Sequence, residues 1–194
     1  MIPGLMERLL IASVRVLVRG PVADFLPGQR IYVVNHSSHL DALLLLSALP
    51  PDVRRTTRPL AAADYWTADP VRRYLIHSVF RAVLVGRDRT SLNPLEPAVS
   101  ALRQGDSLIV FPEGTRGPGE SLLPLKPGIA YLARSFPQVD IVPAWIENAH
   151  RILPKGSALL SPAPCRIRFG VPLRWAEGDF LGRIREAMEG LRTE

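Results

Sequence analysis

Short apolar runs alternate with helix-length segments along the 194 residues of the chain. The apolar runs have the length of buried strands, and they are bounded by Gly, Pro and charged residues. We predict strands over residues 30–34, 58–63, 82–86, 107–111, 141–146 and 166–169, and helices over residues 38–49, 64–80, 91–104, 127–135 and 177–191. In the second of these helices, Pro70 lies early or causes a break. This alternation indicates an α/β fold: a single domain with a central mixed, mostly parallel sheet flanked by helices.

The first 20 residues form an amphipathic helix in this prediction, ahead of one domain over residues 21–194. At about 100° per residue, Arg8, Arg15 and Arg19 lie within about 40° of one another, and apolar residues fill much of the remaining circumference. Two compatible interpretations are open: a helix packed on the core, or a helix at a membrane interface with its arginines among the headgroups. The segment lacks a signal-peptide pattern, and no apolar run reaches the roughly 20 residues that a membrane span needs.

Charge narrows the range of partners. The chain has 24 Lys and Arg against 18 Asp and Glu, a net charge of +6, and only Lys126 and Lys155 are lysines. This balance favours an anionic partner: nucleic acid, an anionic lipid surface or a phosphorylated small molecule. No nucleic-acid-binding signature is present and aromatic residues are sparse, so we expect no nucleic acid. The single cysteine, Cys165, excludes an intrachain disulfide framework and a CxxC zinc pattern.

Residues 35–41, NHSSHLD, directly follow the first predicted strand. On one continuous helix, His36 and Asp41 would diverge by about 140° and could not meet. If the helix begins near Ser38, His36 lies in the preceding loop and folds back over the first turn, where Asp41 faces it. A carboxylate accepting from the imidazole would leave the other ring nitrogen as a base. Alternatively, Asp41 is half of a capping box with Ser38.

Two further interpretations of this junction are less favourable. A metal site over His36, His39 and Asp41 is disfavoured because the chain has only four histidines, and the other two show no ligand spacing. A serine nucleophile at Ser37 lacks the glycines of a sharp turn. We therefore predict no metal, and we expect His39 on the surface of a helix.

Residues 112–116, PEGTR, directly follow the strand predicted over residues 107–111. Gly114 permits a tight turn, and Arg116 offers a planar guanidinium suited to phosphate. Glu113 would accept from a substrate hydroxyl or hold Arg116 in position. Lys126 and Arg87 are further candidate phosphate contacts. Alone, this segment could equally be an exposed turn with solvated charges.

Together the two motifs resemble the glycerolipid acyltransferase superfamily, whose members carry N-H-x4-D and E-G-T-R signatures in this order. The segments 82–87 (AVLVGR), 125–128 (LKPG) and 141–144 (IVPA) are similar to further elements of that family, so the resemblance covers most of the chain. Arg81 and Gly86 depart from it, because the family often has glycine and an acidic residue there.

The resemblance implies an O-acyltransferase of phospholipid biosynthesis. An acyl group would pass from a thioester donor, acyl-CoA or acyl carrier protein, to a hydroxyl of a lysophosphatidic acid-like acceptor, without a cofactor. His36 would be the general base and Asp41 its orienting acid. Glu113, Gly114, Thr115 and Arg116 would bind the acceptor, together with Arg87 and Lys126.

We expect the protein in the cytoplasm, held peripherally on the inner face of the cell membrane by its N-terminal helix. Two alternatives remain: an acyltransferase for another lysolipid or glycerol 3-phosphate, and a non-catalytic basic module that binds lipid.

Overall fold

A seven-stranded sheet forms the centre of the molecule. The computed structural model describes residues 3–19, 25, 28–86, 93–152 and 163–192. The strands are β1 (Val18–Arg19), β2 (Arg30–Val34), β3 (Thr57–Ala62), β4 (Val83–Val85), β5 (Ser107–Val110), β6 (Asp140–Glu147) and β7 (Cys165–Phe169), in the spatial order β1-β7-β6-β2-β5-β3-β4. Within the described part of the chain all neighbours pair in parallel except β6 and β7. The mixed, mostly parallel α/β sheet expected from the sequence is therefore confirmed.

Residues of each central strand alternate between the two faces of the sheet, as the period of two requires. In β2, Tyr32 and Val34 belong to one apolar cluster, while Ile31 and Val33 belong to the other. All four side chains are fully buried. The strand is apolar on both faces because helices cover both, which explains the continuous apolar run in the sequence.

Helices form the two outer layers. They are α1 (Pro3–Arg15), α2 (Asp41–Ala48), α3 (Pro51–Arg55), α4 (Ala63–Trp66), α5 (Pro70–Tyr74), α6 (Glu96–Arg103), α7 (Gly128–Ser135), α8 (Ala149–Ile152) and α9 (Phe180–Gly190), with a π-helical turn at Leu75–Val79. Residues of α1, α2 and the π-helical turn join one cluster, and residues of α6, α7 and α9 join the other. The result is a three-layer α/β/α arrangement.

Several helix boundaries differ from the predicted ones. The segment 64–80 is broken into α4, α5 and the π-helical turn, which is the break considered for Pro70: this residue occupies the first turn of a new helix, and the Asp69 side chain caps it by accepting from the Arg72 N–H. Helix α2 begins at Asp41 and not near Ser38. The short helices α3 and α8 and the two-residue strand β1 were not predicted, since each is too short to show periodicity.

Helix α1 packs on α2 and on the π-helical turn. It buries Ile11 and Val14, which confirms the core-packing interpretation for one face, while Leu9 on α1 and Val16 just after it remain exposed. The helix ends at Arg15, so Arg19 lies on β1 and not on the helix as predicted. None of the helices in the described ranges combines the length and apolar character that a membrane crossing requires.

The backbone at Arg81 explains one departure from the family pattern. Its φ of 49° lies in the left-handed region that favours glycine. The Arg81 carbonyl accepts from Arg58 Nε at 2.8 Å, and its guanidinium donates to the Arg55 carbonyl at 2.9 Å. These contacts offset the local strain, so an arginine can occupy this turn ahead of β4.

Candidate active site

Both polar motifs lie at the carboxyl ends of neighbouring parallel strands. β2 runs into Asn35 and His36, and β5, its direct neighbour, runs into Phe111 and Pro112. In open α/β sheets this edge is where ligands bind. The segments drawn together from distant parts of the sequence therefore share one side of the molecule.

His36 and Asp41 form the predicted pair. His36 Nδ1 lies 2.8 Å from Asp41 Oδ2. Because a carboxylate only accepts, Nδ1 carries the proton, and Nε2 is left as the basic nitrogen. Asp41 is fully buried, whereas the His36 side chain is 23% exposed. A buried acid thus orients an imidazole that reaches the surface of the site.

The turn between β2 and α2 is built around Asp41. Besides His36, its Oδ2 accepts from the backbone N–H groups of Ser37 at 2.7 Å and Ser38 at 2.8 Å. Asp41 is the first helical residue of α2, whereas the helix was predicted to begin near Ser38, and its carboxylate still reaches back as in a capping box. The cap and the orienting acid are the same carboxylate, so these two interpretations do not compete.

Two neighbours fix the direction of His36. The Asn35 side chain continues the β2–β6 ladder, since its Oδ1 accepts from the Ile146 N–H at 2.7 Å and its Nδ2 donates to the Ile146 carbonyl at 3.0 Å. The Phe111 ring stacks on the imidazole with centroids 4.3 Å apart. Neither role was predicted from the sequence, although Asn35 is the first residue of the first motif and Phe111 directly precedes the second.

Glu113 joins the two motifs through backbone hydrogen bonds. Its Oε1 accepts from the His36 N–H at 2.8 Å, and its Oε2 accepts from the Leu123 N–H at 2.9 Å. The side chain is 2% exposed, and burial raises the pKa of this carboxyl above its usual range. A Cβ at Gly117 would lie 2.9 Å from Oε2, so glycine is needed for this close approach. The predicted contact of Glu113 with a substrate hydroxyl stays a prediction.

The remaining residues of the second motif lie toward solvent. Gly114 takes a φ of 68°, which suits glycine, and both Gly114 and Thr115 are exposed. Arg116 is half-buried, and its Nη1 is buried without a hydrogen-bond partner among the described residues. Lys126 is exposed, and its N–H donates to the Pro112 carbonyl at 2.7 Å. Arg116 therefore keeps a donor for a ligand.

A cavity of about 390 Å³ connects these residues. Its polar lining comes from both motifs and the segment after them, and its apolar lining comes from β3, the helices that follow it, and α7. The polar side chains include His36, His39, Thr115, Arg116 and Lys126, and the apolar ones include Leu60, Trp66, Ile76, Phe80, Leu95 and Leu132. A mostly apolar cavity with a few converging polar groups is typical of a small-molecule site.

His39 also lies in this cavity wall, in the turn before α2 and not on a helix surface as expected. Its ring stacks on Tyr65, and Nε2 lies 3.3 Å from the Tyr65 hydroxyl. Arg72 covers the Tyr65 ring at 4.4 Å. Burial, with smaller contributions from Arg116, His36 and Arg72, lowers the pKa of His39. Nothing in the sequence indicated this stack, because His39 and Tyr65 lie 26 residues apart and on different elements.

The other candidates can be placed briefly. Arg87 lies outside the described residues, so its predicted phosphate contact is not addressed. Ser37 is 3% exposed and does not line the cavity, which does not favour it as a nucleophile. Within the described residues, no group of three or more His, Cys, Asp or Glu side chains could hold a metal ion.

The fold and this pair of motifs define an α/β transferase-like site, and sequence comparison gives the family. Residues 18–147 match the model of the Acyltransferase family, and the chain belongs to that family. The matched region contains His36, Asp41 and the whole second motif.

Curated relatives carry similar segments. The 1-acyl-sn-glycerol-3-phosphate acyltransferase of Cocos nucifera is 27% identical over 159 residues, covering 80% of this chain and 50% of that protein. The human 1-acyl-sn-glycerol-3-phosphate acyltransferase alpha is 31% identical over 167 residues, covering 83% of this chain and 56% of that protein. The chain thus spans about half the length of the curated relatives it matches.

The fold is also found among solved structures. The crystal structure of the 1-acyl-sn-glycerophosphate (LPA) acyltransferase PlsC from Thermotoga maritima matches with a TM-score of 0.76 and 22% identity, covering 98% of this chain and 78% of that one. The α/β arrangement described above is therefore that of a known acyltransferase structure.

Proposed function

We propose that the protein is an O-acyltransferase that moves a fatty acyl group from a thioester donor to a hydroxyl of a lysophosphatidic acid-like acceptor in phospholipid biosynthesis. The observation that carries the proposal is the 2.8 Å contact between His36 Nδ1 and buried Asp41, in the wall of a largely apolar cavity that Arg116 also lines. Membership of the Acyltransferase family supports it.

The chemistry follows from the free nitrogen of His36. Nε2 takes the proton of the acceptor hydroxyl while the oxygen attacks the thioester carbonyl. A C–O bond forms, the C–S bond breaks, and the thiolate takes the proton back from the imidazolium. Asp41 stabilises that imidazolium and keeps Nδ1 protonated. Because the acceptor oxygen attacks the thioester directly, the step needs no covalent enzyme intermediate.

The lining of the cavity fits both substrates. An acyl chain would lie against the apolar side chains, which favour apolar surface by about 25 cal/mol per Å² removed from water. The acceptor phosphate would meet the guanidinium of Arg116, whose Nη1 has no partner in the described part of the chain, and the exposed ammonium of Lys126. Acyl-CoA and acyl carrier protein present the same thioester, so both remain donors in the proposal.

The proposal is tested by thiol release. Purified protein is incubated with acyl-CoA or acyl carrier protein, and free thiol is followed with and without lysophosphatidic acid, glycerol 3-phosphate or a zwitterionic lysolipid. We expect release that depends on an acceptor and is fastest with lysophosphatidic acid. Preference for another acceptor would correct the substrate, and no release with any donor would leave a non-catalytic lipid-binding module.

We also propose that α1 and the turn after it hold the protein peripherally on the inner face of the cell membrane. The segment exposes Arg8, Leu9 and Val16, of which Leu9 and Val16 are 59% and 85% exposed, and Arg19 is exposed on the adjoining β1. Apolar side chains beside arginines suit an interface of acyl chains and anionic headgroups. A lysophospholipid acceptor resides in that interface, so docking would bring the enzyme to its substrate.

A further inference from the structure

Helix α9 lies beyond residues 18–147 that match the family, yet it contacts the loop that follows β5. Its apolar face, Phe180, Ile184 and Met188, is buried in the core. From this anchored helix Arg185 extends toward the loop, and its Nη2 donates to the Leu123 carbonyl at 2.6 Å. Its Nη1 donates to Glu189 Oε1 at 2.9 Å, one turn further along the helix, which holds the guanidinium in place.

The N–H of the same residue points toward the site. The Leu123 N–H donates to Glu113 Oε2 at 2.9 Å, and Glu113 Oε1 accepts from the His36 N–H at 2.8 Å. The contacts therefore connect the guanidinium of Arg185 with the backbone of His36 through the two backbone groups of Leu123 and the carboxylate of Glu113. Leu123 lies 62 residues from Arg185 in the sequence, so only the fold creates this connection.

The Leu123 carbonyl and N–H belong to adjacent peptide units that meet at the Leu123 Cα. An anchor on the carbonyl therefore restricts the backbone of Leu123 and keeps its N–H directed at the carboxylate. Glu113 is 2% exposed, so water does not take over a hydrogen bond that either carboxylate oxygen loses. Glu113 thereby holds the backbone of His36, while Asp41 orients its imidazole ring.

We propose that Arg185 is a positioning residue for His36, acting from the C-terminal helix through the backbone of Leu123 and the side chain of Glu113. The inference rests on the proposed function, because it concerns the placement of the catalytic base. Arg185 itself does not line the cavity. This positioning role would give α9, a helix outside the family's matched region, a part in catalysis.

The experiment compares Arg185→Gln with Arg192→Gln. Arg192 is a matched control, since its Nη1 donates to the Glu120 carbonyl of the same loop at 2.7 Å but has no place in the path to His36. We expect Arg185→Gln to lower kcat about tenfold with little change in acceptor KM, because small displacements of a base cost large factors in rate. Arg192→Gln should keep kcat, and Arg185→Lys should restore part of the loss.

A second readout does not depend on activity. The imidazole NMR signals of His36, one of four histidines, are assigned by their loss in His36→Ala. They should shift in Arg185→Gln and stay in place in Arg192→Gln. If Arg185→Gln does not fold, Glu189→Gln removes the carboxylate that holds the guanidinium, and it should shift the same signals less.

The outcomes separate the two proposals. Equal kcat in wild type and Arg185→Gln, or equal losses in Arg185→Gln and Arg192→Gln, would overturn the positioning role. Unmoved His36 signals would overturn it as well. An inactive wild-type protein would instead contradict the proposed function, and the NMR comparison would still decide whether Arg185 positions His36.

Discussion

Arg116 combines a role in phosphate binding that was predicted from the sequence with a side-chain geometry that only the structure shows. Its Nη1 is buried, it lines the cavity, and the described part of the chain offers that atom no hydrogen-bond partner. Its place in the second motif could be predicted from the sequence. The unused donor could not, because it depends on where neighbouring loops pass.

We therefore expect Arg116→Ala to raise the KM for a phosphate-bearing acceptor by about tenfold to a hundredfold, the equivalent of one charge-assisted hydrogen bond of about 1.5–3 kcal/mol. The KM for the thioester donor should change little. Arg134→Ala, which removes an exposed arginine from α7, is the control for a general loss of positive charge. An unchanged acceptor KM in Arg116→Ala would remove this residue from the phosphate site.

His39 makes stability depend on pH. Burial lowers the pKa of His39 below its ordinary value of 6.5, with Arg116, His36 and Arg72 acting in the same direction and Asp41 opposing them. Below pH 6.5 the unfolded chain binds this proton more readily than the folded one, so the free energy of unfolding falls as the pH drops.

His39→Phe keeps an aromatic ring beside Tyr65 and removes the imidazole that binds the proton. Urea unfolding of the variant should therefore lose less stability between pH 7 and pH 5 than the wild type does. His77→Phe, which removes an exposed histidine, is the control. An identical pH dependence in wild type and His39→Phe would exclude His39 as the source.

At the scale of elements, the strands could be predicted well and the helices less well. All six predicted strands deviate by at most one residue at either end from the observed β2, β3, β4, β5, β6 and β7. Both-face burial makes strands continuous apolar runs that the sequence displays directly. Helix starts depend on caps, and Asp41 shows why they are hard to predict: its carboxylate caps the turn from inside the helix.

Asn35 shows how an element can support the site. Its side-chain amide makes two hydrogen bonds to the backbone of Ile146, so β2 remains tied to β6 one residue beyond the strand. Asn35→Ala would leave both buried backbone groups unpaired. We expect a loss of roughly 2–4 kcal/mol in the free energy of unfolding, measured by urea denaturation. Gln104→Ala, whose amide meets only an exposed serine hydroxyl, is the control. A loss below that of the control would contradict this role.

At the scale of the whole molecule, the proposed docking on a membrane would depend on the exposed face of α1 and the turn after it. The double variant Leu9→Gln and Val16→Gln should reduce several-fold the amount of protein that co-sediments with anionic vesicles. The variant removes apolar contact with the interface and keeps every charge. Val171→Gln, at a site that is 81% exposed after β7, is the matched control. Equal binding by both variants would show that this face does not dock.

Only part of the site could be predicted from the sequence, and the reason is physical. Residues that carry chemistry stood in two compact motifs, so His36, Asp41 and Arg116 could be identified from their spacing and residue types. Asn35, Tyr65 and Arg185 could not, since each acts on a partner that is 26 to 111 residues away in the sequence. Such partners become visible only when the strands are placed side by side.

The central claim, that His36 is the general base of acyl transfer, is tested most directly by acceptor-dependent thiol release in His36→Ala. General-base catalysis supplies about 10²–10⁴-fold, so we predict a loss in kcat of roughly 10³-fold or more while the circular dichroism spectrum stays that of the wild type. Near-normal release by a folded His36→Ala protein would contradict the account.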